Sequence, residues 1–104
     1  MEHKIEHICV CICTYKRPKL LEQLLNKLQD QQTENLFTFS IVVVDNDCEQ
    51  SAQSTVEYCK QYCRIEIAYH MEPEQNISLA RNRAVDNARG NYIAFIDDDE
   101  YPES

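Results

Sequence analysis

Tyr92-Ile93-Ala94-Phe95-Ile96 runs directly into Asp97-Asp98-Asp99-Glu100. A short apolar run rich in β-branched and aromatic residues predicts a buried strand. The acids then stand at its carboxyl end, where open α/β sheets bind their ligands. Carboxylates packed this closely repel one another by ~1 kcal/mol or more per close pair unless a cation offsets the charge. Oxygen ligands with no accompanying histidine suit Mg²⁺ or Mn²⁺ better than Zn²⁺, and such ions commonly also hold substrate phosphates. The plain alternative is a solvated acidic tail.

Working back from that strand, the same unit of apolar run, polar loop and helix recurs. Ile8 to Cys13 is continuously apolar, as in a strand covered on both faces, and Thr14-Tyr15-Lys16-Arg17 follows as a loop. Pro18 suits the first turn of a helix whose Leu20, Leu21, Leu24, Leu25 and Leu28 fall at helical spacing. Phe39 to Val44 is a second strand ending in Asp45-Asn46-Asp47, after which Ser51 or Ser54 can cap a helix through Tyr62. Ile65 to Tyr69 alternates apolar and polar residues, which predicts a strand near a sheet edge, and the segment around Pro73 reads as a loop. A third helix is expected from Ser78 as N-cap to Gly90, the sole glycine. Alternation of this kind implies a parallel sheet with every strand's carboxyl end on one edge.

The chain has 104 residues, enough for one domain but small for a complete α/β enzyme. Its net charge of -8 argues against nucleic acid, which needs a clustered basic face. No apolar stretch reaches membrane-spanning length and Met1-Glu2-His3-Lys4 is too polar for a secretory signal, so a cytoplasmic location is expected. Cys9, Cys11 and Cys13 alternate along a strand and read as small buried hydrophobes on one face. Cys59 and Cys63 form at most half a metal site, and nothing beside Cys48 marks it as a nucleophile.

Three strand ends thus deliver Thr14-Tyr15-Lys16-Arg17, Asp45-Asn46-Asp47 and Asp97-Asp98-Asp99 to one edge, and the third helix adds Arg81, Asn82 and Arg83. Taken together these suit a nucleotide diphosphate: carboxylates and an aromatic surface for base and ribose, a metal and a cation for the phosphates. Each also has a plain structural reading. Asp45 and Asp47 can form Asx turns, Tyr15 can be loop packing, and Arg81 and Arg83 can pair with surface acids. A glycine-rich phosphate loop and a P-loop lysine are both missing, which excludes ordinary NTPase and dinucleotide readings.

These motifs resemble those of the inverting GT-A glycosyltransferases of family 2, and the resemblance covers nearly the whole chain. Ile8 to Arg17 with Pro18 looks like the family's first strand and Thr-Tyr-x-Arg loop, and Ile41 to Asp47 like its second strand and acidic turn. The most specific match is Asn76-x-Ser78-x-Ala80-Arg81-Asn82 followed by Gly90-x-Tyr92-Ile93-x-Phe95-x-Asp97-Asp98-Asp99-x-x-Pro102. The resemblance implies a Rossmann-like α/β fold of the nucleotide-diphospho-sugar transferase type, a mostly parallel sheet flanked by helices.

On that basis residues 1–104 correspond to the nucleotide-sugar-binding part, incomplete at the C-terminus, with the acceptor half and the catalytic base expected beyond Ser104. Thr14, Tyr15, Asp45 and Asp47 are implied to line the base pocket with Arg17 in the same loop. Arg81 approaches base or diphosphate, Asp97 or Asp98 the ribose, and Asp99 with Asp97 holds Mn²⁺ or Mg²⁺. The family commonly has two adjacent acids where this chain has Asp45-Asn46, so the base contact passes to either Asn46 or Asp47. The implied donor is a nucleotide-diphosphate sugar, usually of UDP, in surface polysaccharide synthesis, with peripheral membrane association of the full-length enzyme. An open sheet edge predicts dimerisation, aggregation or marginal stability.

Three rivals stand beside this reading. A sugar nucleotidyltransferase would want a glycine-rich loop after the first strand. A receiver domain would want acids where Thr14 and Tyr15 stand. A non-catalytic nucleotide-binding or interaction module would share the fold.

Overall fold

The computed structural model describes residues 6–29, 37–62, 65–89 and 92–97, the side chains of Glu6, Phe37 and Asp97 excepted. Its elements alternate: β1 (Glu6–Thr14), α1 (Pro18–Gln29), β2 (Phe37–Asp45), α2 (Gln53–Tyr62), β3 (Ile67–Met71), α3 (Ile77–Asn87) and β4 (Tyr92–Asp97). All four strands run parallel in the order β3-β2-β1-β4, as the strand-helix alternation requires.

The two faces of the sheet follow from the period of two along each strand. Val10, Ile12, Ile41, Val43 and Ile67 point to one side, where they meet Leu21, Leu24, Leu25 and Leu28 of α1 and Val56 and Cys59 of α2. Cys9, Cys11, Val42 and Val44 point to the other, against Ala80 and Ala84 of α3. The alanines keep α3 thin enough for Cys11 Sγ to lie 4.0 Å from the Ala84 carbonyl oxygen. Burial, then the neighbouring Cys9 and Cys13, pushes the Cys11 thiol up to about 12, so it stays protonated and behaves as packing. Cys48 is exposed, and Cys63 lies outside the described residues.

With α1 and α2 on one face and α3 on the other, the winding reverses between β1 and β4. That reversal opens a crevice beyond the strand ends, where α/β sheets take ligands.

Several boundaries differ from the sequence reading. The third helix is capped by Asn76, whose extended backbone lets its Oδ1 accept from Ser78 N–H (2.9 Å) and Leu79 N–H (3.2 Å). Ser78 is therefore the receiver of a cap and not its source, because the carboxamide two residues earlier reaches the free N–H groups first. The helix ends at Asn87 with Ala88 as C-cap, ahead of Gly90, which lies outside the described residues. The edge strand starts at Ile67 instead of Ile65, since Ile67 is the first residue in register with β2, opposite Ile41. At the start of α2, Ser51 Oγ is buried without a hydrogen bond, and the entry is fixed instead by Ala52 N–H donating to Asp45 Oδ2 at 2.9 Å.

Lys16 (φ 52°) and Gln50 (φ 56°) occupy left-handed backbone. Gln50 closes the turn after β2, its N–H donating to the Asp47 carbonyl at 2.9 Å. Because a side chain with a Cβ is strained there by about 1 kcal/mol, Gln50→Gly is expected to stabilise the fold by about that amount. A urea titration of the variant should show a higher midpoint at an unchanged slope.

Candidate active site

The site is built where β1, β2 and β4 end. Thr14 is register partner to Asp45, and Cys13 to Asp97, so β2 and β4 each end within about one strand spacing, ~4.8 Å, of β1, on opposite sides of it. Thr14 is buried, its carbonyl accepting Asn46 N–H at 2.8 Å, while Tyr15 and Arg17 are exposed on the loop beyond. Arg17 also starts α1 through its carbonyl, which accepts Leu21 N–H at 3.0 Å.

Asp45, Asn46 and Asp47 are all buried, at 0%, 6% and 3% exposure, yet their side chains serve different ends. Asp45 is turned inward: Oδ1 accepts Asp47 N–H (3.1 Å), and Oδ2 accepts Ala52 N–H (2.9 Å) and Tyr69 O–H (2.7 Å). Burial, followed by that hydrogen bond to Asp45, raises the Tyr69 phenol above the tyrosine range. Asn46 directs both ends of its carboxamide to the segment after β3. Its Nδ2 donates to the carbonyls of Glu72 (3.1 Å) and Glu74 (2.6 Å), and its Oδ1 accepts Asn76 N–H (3.0 Å).

Asp47 is different. Its Oδ1 accepts Glu49 N–H at 3.0 Å, and its buried Oδ2 has no hydrogen-bond partner. Its carboxyl is held below the ordinary aspartate range, chiefly by that Glu49 N–H, with Ser51 and the Lys16 ammonium adding. Ser51 Oγ lowers it from nearby without reaching hydrogen-bonding geometry. Lys16 Nζ lies 5.4 Å from the centre of the Tyr15 ring, and Tyr15 first and Asp47 next hold its ammonium above the usual lysine value. A buried acceptor without a donor is costly in a folded protein and calls for a partner, whether the neighbouring Ser51 hydroxyl, a water, an ion or a ligand.

On the opposite side of the crevice, the Arg81 guanidinium sits 5.8 Å from the centre of the Phe95 ring, two residues before Asp97. That separation is about 6.6 Å along a strand, so a cation stands close to where the acids begin. Asp98 and Asp99 lie outside the described residues, as does the Asp97 side chain. Among the described residues, no group of three or more His, Cys, Asp or Glu could hold a metal ion. By the chemistry of its donors, the all-carboxylate sequence Asp97-Asp98-Asp99-Glu100 fits a hard divalent ion. Arg83 instead pairs with Glu72 at 3.5 Å. A separate cleft of about 440 Å³ runs along β3 on the α3 face, away from the crevice, and its His7 is engaged by the Thr38 and Ser40 hydroxyls.

Residues 9–104 match the family described as Glycosyl transferase family 2. The chain belongs to that family. Among curated proteins, this family 2 chain is 39% identical over 100 residues to the succinoglycan biosynthesis protein ExoM of Rhizobium meliloti, covering 96% of the chain and 32% of ExoM. It is 28% identical over 94 residues to the GalNAc(5)-diNAcBac-PP-undecaprenol beta-1,3-glucosyltransferase of Campylobacter jejuni, covering 89% of the chain and 29% of that enzyme. The chain therefore spans about a third of the length of these relatives.

Among solved structures, S. aureus TarS 1-349 in complex with UDP superposes with a TM-score of 0.72 at 27% identity, covering 90% of the chain and 28% of TarS. The mannosyltransferase PcManGT of Pyrobaculum calidifontis, in complex with GDP-Man and Mn²⁺, gives a TM-score of 0.79 at 22% identity, covering 94% and 29%. The expected Rossmann-like GT-A fold is thus present in this family 2 chain.

The arrangement also bears on the rivals. A phosphoacceptor must present an accessible carboxylate, and Asp45 is sealed on both oxygens. The sequence reading named Tyr69, Lys16 and Asn76 but gave no bonding role to Tyr69, Lys16 or the segment 72–76. Tyr69 carried a usable signal, because a tyrosine at an inward position of a strand needs a partner for its hydroxyl. No helix among the described residues is long and apolar enough to cross a membrane.

Proposed function

We propose that this chain is the nucleotide-sugar-binding part of a glycosyltransferase that moves a sugar, with inversion, from a nucleotide diphosphate, most simply UDP, to an acceptor hydroxyl. The observation that carries the reading is Asp47 Oδ2, a buried acceptor lacking a donor at the sheet's switch crevice. A carboxylate there accepts the ring N–H of uracil, thymine or guanine, and faces only a lone pair at the corresponding nitrogen of cytosine. UDP bound to TarS and GDP-Man bound to PcManGT both carry bases with such an N–H.

In this reading Asp47 reads the base edge and Tyr15 offers it a ring face. Arg17 and Arg81 supply positive charge to the phosphates, as Lys16 does from the loop, and Thr14 shapes the pocket floor. Asp97 and Asp98 take the ribose hydroxyls, and Asp97 with Asp99 holds Mn²⁺ or Mg²⁺. When bound, the ion supplies charge neutralisation to the leaving diphosphate. Efficient transfer also needs a base to take the acceptor proton, a role this reading assigns to none of the residues in this chain. The same reading takes the reaction to be cytoplasmic, with the full-length enzyme peripheral to the membrane. The edge of β4, which pairs with no further strand among the described residues and where Tyr92, Ile93 and Phe95 are exposed, is the surface through which two copies would pair.

Calorimetry with UDP and Mn²⁺ tests the proposal. Heat of binding should appear with both present, and the melting temperature should rise, as for any ligand selective for the native state. Asp99→Asn should abolish the metal-dependent part while leaving the fold intact or more stable, because it relieves carboxylate repulsion. No heat at millimolar UDP and Mn²⁺ would instead favour a non-catalytic module.

A further inference from the structure

We propose that Asn46 is a positioning residue for the nucleotide site, and that its role requires an amide. Its carboxamide holds the segment 72–76 against the end of β2 and so sets where α3 and Arg81 stand. The inference rests on the nucleotide-binding reading above and extends it to a residue that touches no ligand.

Asn has two N–H donors and one acceptor oxygen, and here both donors and the oxygen are engaged: Glu72 O at 3.1 Å, Glu74 O at 2.6 Å and Asn76 N–H at 3.0 Å. An ionised aspartate at 46 could keep the bond from Asn76 but would set negative charge against two carbonyl oxygens. The chain of contacts continues without a gap. Asn76, held through its backbone N–H by Asn46, uses its own side-chain oxygen to cap α3 at Ser78 and Leu79. Arg81 stands one turn further on, over Phe95. The other end of the segment is pinned as well, by Glu72 N–H to the Asp45 carbonyl (2.9 Å) and by Arg83 on the Glu72 carboxylate.

Two successive carboxamides thus connect the end of β2 to the start of α3. Asn46, more than nine-tenths buried, has both N–H donors and one lone pair of its oxygen engaged inside the fold, whereas Asp47 keeps a whole carboxylate oxygen without a donor, which favours Asp47 as the reader of the base.

Asn46→Ala and Asn46→Asp test the assignment, the second retaining the shape and one of the three bonds. Both should weaken UDP binding by roughly tenfold or more, the order of one or two lost buried hydrogen bonds. Because the device acts on the helix that carries Arg81, affinity for uridine should fall less than affinity for UDP. Plain destabilisation would leave the UDP-to-uridine ratio unchanged well below the melting temperature. Amide exchange at Asn76 should accelerate in Asn46→Ala and stay slow in Asn46→Asp, whose carboxylate still accepts that N–H. Wild-type UDP affinity in Asn46→Ala with a released Asn76 amide would overturn the proposal. So would an equal loss for UDP and uridine. If the unaltered chain takes no UDP, the nucleotide reading fails, and the exchange comparison still decides whether Asn46 holds the segment.

Discussion

Asp45→Ala is expected to destabilise the domain by about 4 kcal/mol, because it strands three buried donors at once. Asp47 N–H, Ala52 N–H and Tyr69 O–H all converge on that one carboxylate, which is fully buried. A domain of this size has only ~5–15 kcal/mol to lose, so the melting temperature should drop by roughly 20 °C. Tyr69→Phe removes one donor together with the need for it and should cost about 1 kcal/mol.

The pair also sets an alkaline limit. Since folding raises the Tyr69 pKa above its ordinary 10.0, its contribution is complete below that pH and is lost as pH rises through the folded value. Urea midpoints measured from neutral pH upward should decline above pH 10 in the wild type, and Tyr69→Phe should lack that part of the decline. An Asp45→Ala variant as stable as the wild type would refute the internal role given to this acid.

Asp47→Asn should do the reverse, leaving the fold nearly untouched and removing the ligand. Its Oδ1 can still accept Glu49 N–H, but an NH₂ replaces Oδ2, so a donor would face the donor of the base. Loss of a charged hydrogen bond with an unpaired group left behind amounts to roughly 2.7 kcal/mol, or about a hundredfold in UDP affinity. Calorimetry on the two proteins measures it, and equal affinities would remove Asp47 from the site. The acid limb gives a second check. Folding lowers the Asp47 pKa below 3.8, so its contribution is present above that value and lost as pH falls through the lowered one. Asp47→Asn should lack that portion of acid sensitivity.

The contrast between these two acids also marks where the sequence could be read and where it could not. The leucine stripe of α1 and the apolar run of β4 are local periodicities, and both formed the expected elements. But β4 is not the buried strand its apolar run predicts: Tyr92, Ile93 and Phe95 are exposed because β4 stands last in the order of the described sheet. The parallel sheet and its single ligand edge followed from their alternation. Which of three consecutive polar residues faces inward is a different kind of question. For Asp45 it is decided by Tyr69, 24 residues on, and for Asn46 by carbonyls 26 and 28 residues on, none of which a local pattern encodes. The same holds for the cap of α3, where two capping-competent residues lay two apart and backbone conformation chose Asn76. Leu20, part of the expected stripe, is only half-buried, because a 3.6-residue period brings it to the flank of the face.

The place of β1 in the sheet has one more consequence. Strand β1 is flanked by β2 on one side and by β4, some eighty residues later, on the other. Until β4 emerges, the nascent polypeptide carries a bare row of amides and carbonyls along β1, a template that any extended peptide could join. Pairing of β1 with β4 is therefore the most non-local step in the described sheet, and a chain stalled before Tyr92 is expected to aggregate more readily than one that has added β4.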